Sequence, residues 1–219
     1  MNTKKIALIV VFAALALALS PVRIPTFFWP GQYFRLWEIP VIVAFFLFGF
    51  KIAFSVTVLY AAGFVSIIPD ASGIIGFPWA IVLILSVFLG LFLAGKLIGQ
   101  NTLEKNTGRK KTIIFFTLCA TLSRTVIMPF VDYGVYRFLL PLVIGHPIPD
   151  AYILGLMPVI VFFNVVTPLY SIPVAYLVAK TVSKHLSIET SFKPIRPGHH
   201  LNGRLMTILP NPTLDFQHK

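Results

Sequence analysis

Long apolar runs dominate the first 186 residues of the chain. A membrane-spanning helix needs about 20 mostly apolar residues. Four stretches approach or exceed that length, and they predict spans over residues 6–22, 77–98, 112–131 and 152–179. A fifth stretch, residues 39–68, is interrupted only by Gly49-Phe50-Lys51. The hydropathy pattern therefore predicts an all-α integral membrane protein.

The positions of the cations indicate how many spans there are. Short cytoplasmic loops carry an excess of Lys and Arg. A single span over 39–68 would place the basic loop at 105–111 outside, so we divide that stretch into spans over 36–50 and 52–68. The result is a six-transmembrane-helix bundle with both termini cytoplasmic. Its inner side then collects Lys4, Lys5, Lys51, Lys96, Lys105, Arg109, Lys110, Lys111, Lys180 and Lys184.

Composition supports the membrane prediction and sets the domain boundary. The chain is 57% hydrophobic and 11% charged, whereas soluble domains are about 45–50% apolar and about 25% charged. The net charge of +11 follows from the inner loops, so no nucleic-acid partner is predicted. We expect a transmembrane domain over 1–186 and a disordered cytoplasmic tail over 187–219, because the tail is polar and rich in proline. His199 and His200 in this tail are expected to be inert, and we predict no metal or cofactor.

Small residues recur at helical spacing in two spans. In span one, Ala14 and Ala18 form a stripe that another helix can approach closely; the stripe serves either packing within this protein or docking of another membrane subunit. Lys4, Lys5 and the following apolar run also resemble a signal peptide, and the later spans keep their orientation in either case. In span four, Gly90 to Lys96 spells most of a phosphate-binding loop but lacks the Ser or Thr after the lysine. We therefore interpret Ser86, Gly90 and Ala94 as a packing stripe.

Two outer segments are candidates for covering a ligand. Residues 21–38 are rich in aromatic rings and contain Trp29 and Tyr33. They form either an aromatic belt at the membrane surface or a lid whose rings stack on a flat ligand. Residues 133–149 are expected to be a partly helical loop over the cavity mouth, broken by Pro141, Pro147 and Pro149.

Arg124 is the most informative single residue, because it lies well inside span five. A charge at that depth costs at least about 2.5 kcal/mol unless it faces a partner or a wet cavity. It is therefore either a ligand-site residue or half of a structural ion pair. Asn164 in span six needs a polar partner for the same reason. We assign Glu38, at the border of the span over 36–50, and Asp132 to the outside, so no acid is counted inside the predicted spans. No nucleophile–base pair is visible either, so the chain is not expected to be an enzyme.

Four motifs in this order resemble the substrate-binding (S) components of energy-coupling factor (ECF) transporters, particularly their riboflavin branch. They cover about residues 5–182 and comprise Ala14-x-x-x-Ala18, Glu38-Ile39-Pro40 through Phe48-Gly49, Arg124 to Met128 with Asp132-Tyr133 and Pro141, and Phe163-Asn164-Val165-Val166-Thr167. The resemblance implies a six-helix vitamin-binding protein of the cell membrane. It also implies docking on a membrane coupling protein through span one, with cytoplasmic ATPases completing the complex.

The resemblance also suggests the ligand contacts. We predict a cavity in the outer half of the bundle, beneath residues 21–38, and a set of contacts comprising Trp29, Tyr33, Arg124, Asp132, Tyr133 and Asn164. Arg124 either orients the ligand or pairs with Asp132. The riboflavin branch usually shows Asn and Lys where this chain has Asp132 and Thr167, so the identity of the vitamin stays open.

Two other functions are open at this point. The first is a membrane scaffold or accessory subunit without a ligand, in which the aromatic loop anchors the protein and Arg124 pairs internally. The second is a membrane enzyme acting on lipid, which would need paired acids or a nucleophile–base pair near the interface.

Overall fold

The computed structural model describes residues 3–25, 33–67, 71–104 and 109–186, and the predicted tail over 187–219 lies outside this range. The described chain is almost entirely helical, with one short hairpin. Its elements are α1 Thr3–Leu19, β1 Arg23–Pro25, β2 Tyr33–Arg35, α2 Glu38–Phe48, α3 Phe50–Ile67, α4 Ala71–Glu104, α5 Arg109–Gly134, a π-helical segment Val135–Leu139, α6 Leu140–Ile144 and α7 Asp150–Leu186.

Helix length and composition mark a multi-pass membrane protein. Within the described residues, four stretches are long and apolar enough to cross a bilayer: Phe50–Ile67, Gly73–Leu97, Thr112–Ile144 and Asp150–Lys184. Two shorter apolar helices, Lys5–Leu19 and Glu38–Phe48, accompany them. The count of six crossings and the side on which the termini lie stay predictions.

The long apolar stretch 39–68 is indeed two helices, and Gly49 separates them. Its φ is 83°, a conformation that glycine adopts without a steric penalty. The Gly49 N–H still donates to the Phe45 carbonyl oxygen at 2.9 Å, which closes the last turn of α2. Lys51 is exposed in the first turn of α3. The break therefore lies two residues before the lysine on which the topology argument rested.

The small residues of α4 form a packing stripe, as predicted, and the structure shows that the stripe packs against α5. Ser86, Gly90 and Ala94 are all buried. A Cβ added at Gly90 would lie 2.6 Å from the Cys119 carbonyl oxygen and would collide with the Ala120 backbone. The two helix axes therefore approach closely at this point, as small residues permit in membrane bundles.

The helical path does not break at Pro141, contrary to our expectation. The chain stays helical through the π-helical segment and α6 until Gly145, whose φ is 78°. Pro141 stands in the first turn of α6, directly after the π-helical segment, and a local π-helical turn is one way in which a continuous helix accommodates a proline.

The segment between α1 and α2 contains a small antiparallel hairpin that the sequence did not predict. Arg23 pairs with Arg35, Ile24 with Phe34 and Pro25 with Tyr33. Residues 26–32 lie outside the described range. The hairpin leads directly into the first turn of α2, and we call this end of the bundle the hairpin end.

Candidate functional site

A buried ion pair joins α5 to α2 near the hairpin end. The Arg124 Nη1 donates to the Glu38 Oε2 at 2.6 Å. Arg124 is 4% exposed and Glu38 is 2% exposed. Glu38 is the first residue of α2, so the loop that carries the hairpin delivers this carboxylate to the guanidinium. A charge at this depth requires such a partner, because neither water nor lipid can compensate it.

Asn164 on α7 connects this ion pair to a second carboxylate. Its Oδ1 accepts from the Arg124 Nε at 2.9 Å. Its Nδ2 donates to the Ile160 carbonyl oxygen at 3.0 Å and, at the long distance of 3.4 Å, to the Asp132 Oδ2. The carboxamide is 5% exposed and is thus held in one orientation by three neighbours.

Asp132 is the other end of the network and reaches across to α4. Its Oδ1 accepts from the Trp79 Nε1 at 2.6 Å, and the residue is 7% exposed. We call Glu38, Trp79, Arg124, Asp132 and Asn164 the polar network. It draws side chains from α2, α4, α5 and α7 to one point of the bundle.

Aromatic rings and β2 lie beside the polar network. The Phe34 ring packs on Phe163 and Tyr170 of α7, with centroids 5.3 and 5.9 Å apart. The Tyr170 hydroxyl donates to the Arg35 carbonyl oxygen at 2.8 Å. The Arg35 guanidinium lies over the Trp79 ring, 5.6 Å from its centroid. The hairpin is therefore fastened to both α7 and α4 at this end.

The structure brings three of the six predicted ligand residues together: Arg124, Asp132 and Asn164. Tyr133 is half-buried next to Asp132, and no hydrogen bond among the described side chains joins it to the polar network. Tyr33 is half-buried in β2, and Trp29 lies outside the described residues. The site assignment stays a prediction for each of them.

Two expectations need correction. Arg124 does not pair with Asp132; its partner is Glu38, and Asn164 stands between the two. Acids are also present in the apolar helices, because Asp132 lies in the stretch Thr112–Ile144 and Glu38 begins the short helix Glu38–Phe48, whereas we had counted no acid inside the predicted spans. A buried arginine demands a counter-ion, and that requirement indicated that a partner exists but not that the partner is Glu38.

Trp79 is a further residue that the sequence argument missed. It follows Pro78 on α4. In the sequence it cannot be distinguished from an aromatic residue of the membrane interface. Only the contact of its indole N–H with a carboxylate 53 residues away identifies it. Nothing in the local sequence predicts that contact.

The predicted docking residues lie on the outside of the bundle. Ala14 and Ala18 are exposed on α1, whereas Ala13 and Ala16 face the core and are almost completely buried. Packing within this chain thus uses one face of α1 and leaves the Ala14–Ala18 stripe uncovered by described residues.

The polar network has the chemistry to bind a polar ligand. It offers guanidinium N–H donors and carboxylate acceptors side by side within an apolar bundle. Among the described residues, no group of three or more His, Cys, Asp or Glu side chains could hold a metal ion. A ligand with complementary polar groups fits this chemistry.

Comparisons with known proteins give a match at the level of structure. No known protein family matches the sequence, and no curated protein matches it either. A solved structure described as the S component of a bacterial ECF transporter superposes with a TM-score of 0.64 at 18% sequence identity. The match covers 85% of this chain and 99% of the other. The chain therefore has the fold of an ECF S component.

Proposed function

We propose that this chain is the substrate-specific subunit of an ECF-type importer. In this role it binds a vitamin, riboflavin or a related small molecule, at the hairpin end and performs no enzymatic step itself. The observation that carries the proposal is the polar network, which four helices assemble beneath an aromatic hairpin in a fold shared with an ECF S component. Buried polar groups of this kind in a membrane bundle are functional candidates.

The proposal also covers the membrane topology, the docking surface and the partner subunits, which the resemblance to ECF S components suggests. Six helices cross the plasma membrane with both termini in the cytoplasm, so the hairpin end faces outward. The exposed Ala14 and Ala18 provide the surface on which a membrane coupling protein docks, and cytoplasmic ATPases supply the energy. Small residues such as these two alanines allow the close helix approach on which association in lipid depends.

The direct test is to purify the protein in mild detergent and identify by mass spectrometry any small molecule that co-purifies. We expect a vitamin at near-equimolar occupancy, and a flavin would also colour the sample yellow. Purified protein that carries no small molecule, and whose melting temperature no vitamin raises, would contradict the proposal.

A variant of Arg124 tests the site without leaving Glu38 unpaired. Arg124→Lys keeps a positive charge for that carboxylate but removes the Nε that donates to Asn164, because lysine lacks the guanidinium fork. We expect ligand affinity to fall by about tenfold or more, because the Asn164 carboxamide loses the charge-assisted hydrogen bond that holds it in place in the site. Arg137→Lys is the matched control, since Arg137 pairs with Asp150 at a half-exposed position.

One observation favours the second candidate, a membrane scaffold or accessory subunit without a ligand. Arg124 already has an internal partner at 2.6 Å, so its charge does not by itself require a ligand. The scaffold hypothesis predicts that Arg124→Lys changes stability or assembly while small-molecule binding is absent in both the variant and the parent.

A further inference from the structure

The charges of the polar network do not balance. Glu38 and Arg124 neutralise each other through their 2.6 Å contact. Asp132 is as deeply buried as they are, yet both of its described hydrogen-bond donors, the Trp79 indole and the Asn164 carboxamide, are uncharged. The network therefore carries one formal negative charge in excess.

Nearby cations do not supply the missing partner. The Arg124 guanidinium is engaged with Glu38 and with Asn164, which separates it from Asp132. Arg35 is exposed, and its guanidinium lies over the Trp79 ring. Solvent screens a charge in that position, so its effect on a buried carboxylate is modest. Among the described side chains, Asp132 forms no ion pair.

Asp132 also has hydrogen-bonding capacity to spare. An ionised carboxylate accepts about four hydrogen bonds, and the two described donors use about half of that capacity. One of the two bonds is long, at 3.4 Å. A buried carboxylate without a charged partner is costly in free energy. A bound group that is both positively charged and rich in N–H donors would meet both needs.

The aromatic surroundings suit such a group. The Trp79 ring that donates to Asp132 already carries a guanidinium on its face, an arrangement in which the π electrons attract a cation. Phe34, Phe163 and Tyr170 add further rings on the same side. Aromatic rings of this kind suit a flat cationic ligand that directs a polar edge toward the carboxylate.

We infer that Asp132 determines which ligand this protein takes, and that the ligand carries a nitrogen-centred positive charge with N–H donors, such as a protonated amine or amino-heterocycle. The inference rests on the proposed vitamin-binding function and narrows it. It favours a cationic vitamin over riboflavin, which is neutral, and over vitamins that carry a carboxylate.

Titration calorimetry on the full-length protein in detergent tests the inference with the parent, two variants and five probes. The proteins are the parent, Asp132→Asn and the matched control Asp150→Asn, whose carboxylate is half-exposed at the start of α7. Thiamine and pyridoxamine are the cationic probes, riboflavin and pyridoxine the neutral ones, and biotin the anionic one. Pyridoxamine and pyridoxine differ mainly in an ammonium against a hydroxyl group.

We expect the parent to bind a cationic probe about tenfold or more tightly than the neutral and anionic ones. Asp132→Asn should reduce that affinity by a similar factor and should narrow the preference over biotin, whereas Asp150→Asn should leave both unchanged. The melting temperature of ligand-free Asp132→Asn should equal or exceed that of the parent, because the change removes a buried unpaired charge. A purely structural role for Asp132 would lower it.

Two results would overturn the inference, and they are distinguishable. If riboflavin, pyridoxine or biotin binds the parent most tightly, or Asp132→Asn keeps the cation affinity within about twofold, the charge argument is wrong while vitamin binding stands. If no probe binds and no small molecule co-purifies, the proposed function is wrong and the inference is wrong with it.

Discussion

Removing the Glu38 carboxylate should destabilise the bundle far more than removing an exposed acid. Glu38→Ala leaves the Arg124 guanidinium buried, with its 2.6 Å partner gone and a neutral amide as its described contact. Breaking a buried ion pair from one side costs about 3–5 kcal/mol. The control is Asp150→Ala, which breaks a 3.3 Å pair whose side chains are 39% and 52% exposed. Exposed pairs contribute about 0–1 kcal/mol.

The assay is unfolding in detergent with a chemical denaturant, followed by circular dichroism, so that both variants are compared with the parent under one condition. If Glu38→Ala does not accumulate, Glu38→Gln provides an intermediate, because it keeps an acceptor oxygen and loses the charge. Adding Arg124→Leu to Glu38→Ala should recover part of the lost stability, since no charge is then left buried. The reasoning is refuted if Glu38→Ala unfolds within about 1 kcal/mol of Asp150→Ala or if the double variant is the least stable.

Three further predictions concern other parts of the bundle. Gly90→Val should lower the melting temperature or prevent folding, because a Cβ there collides with the Ala120 backbone; an unchanged thermal melt would contradict the close α4–α5 packing. Trp79→Phe keeps the ring but removes the 2.6 Å donor to Asp132, and calorimetry should show weaker ligand binding, by about fivefold or more, in a folded protein. Ala18→Leu should leave ligand binding intact and abolish co-purification of a coupling protein, since Ala18 is exposed on α1; normal complex formation would remove this stripe as the docking surface.

Much of the fold could be predicted from the sequence because lipid imposes a simple rule on apolar runs. The long helices α4, α5 and α7 include the predicted spans, and the break inside residues 39–68 occurs where a glycine allows it. The hairpin was not predictable, since strands of three residues leave no alternating pattern. Pro141 was expected to break the helix, because proline usually does so in a helix interior. The sequence alone does not show that the π-helical segment before it lets the helix continue to Gly145.

The site was predictable only in part, for a related reason. Helical periodicity indicates which face of a helix is buried but not which residue of another helix meets it. The ion pair joins residues that are 86 apart in the chain. Only the free-energy cost of burying an unpaired charge at Arg124 indicated that a partner exists. Asn164 was singled out because an amide inside a span needs a polar partner, and Asp132 was recognised from the family resemblance. Trp79 had no comparable signal.

The shortness of α2 has a consequence for how a solute reaches the middle of the membrane. An 11-residue helix is about 16 Å long, roughly half of a hydrocarbon core of about 30 Å. In the proposed topology the exposed Lys51 holds the Gly49 turn near the inner membrane surface, which places the first turn of α2 close to the midplane. The non-helical chain before it must descend to that depth, which is tolerated only where protein or water surrounds the backbone. A hydrated depression would then lead inward from the hairpin side, and a solute could diffuse through half of the bilayer before any subunit moved.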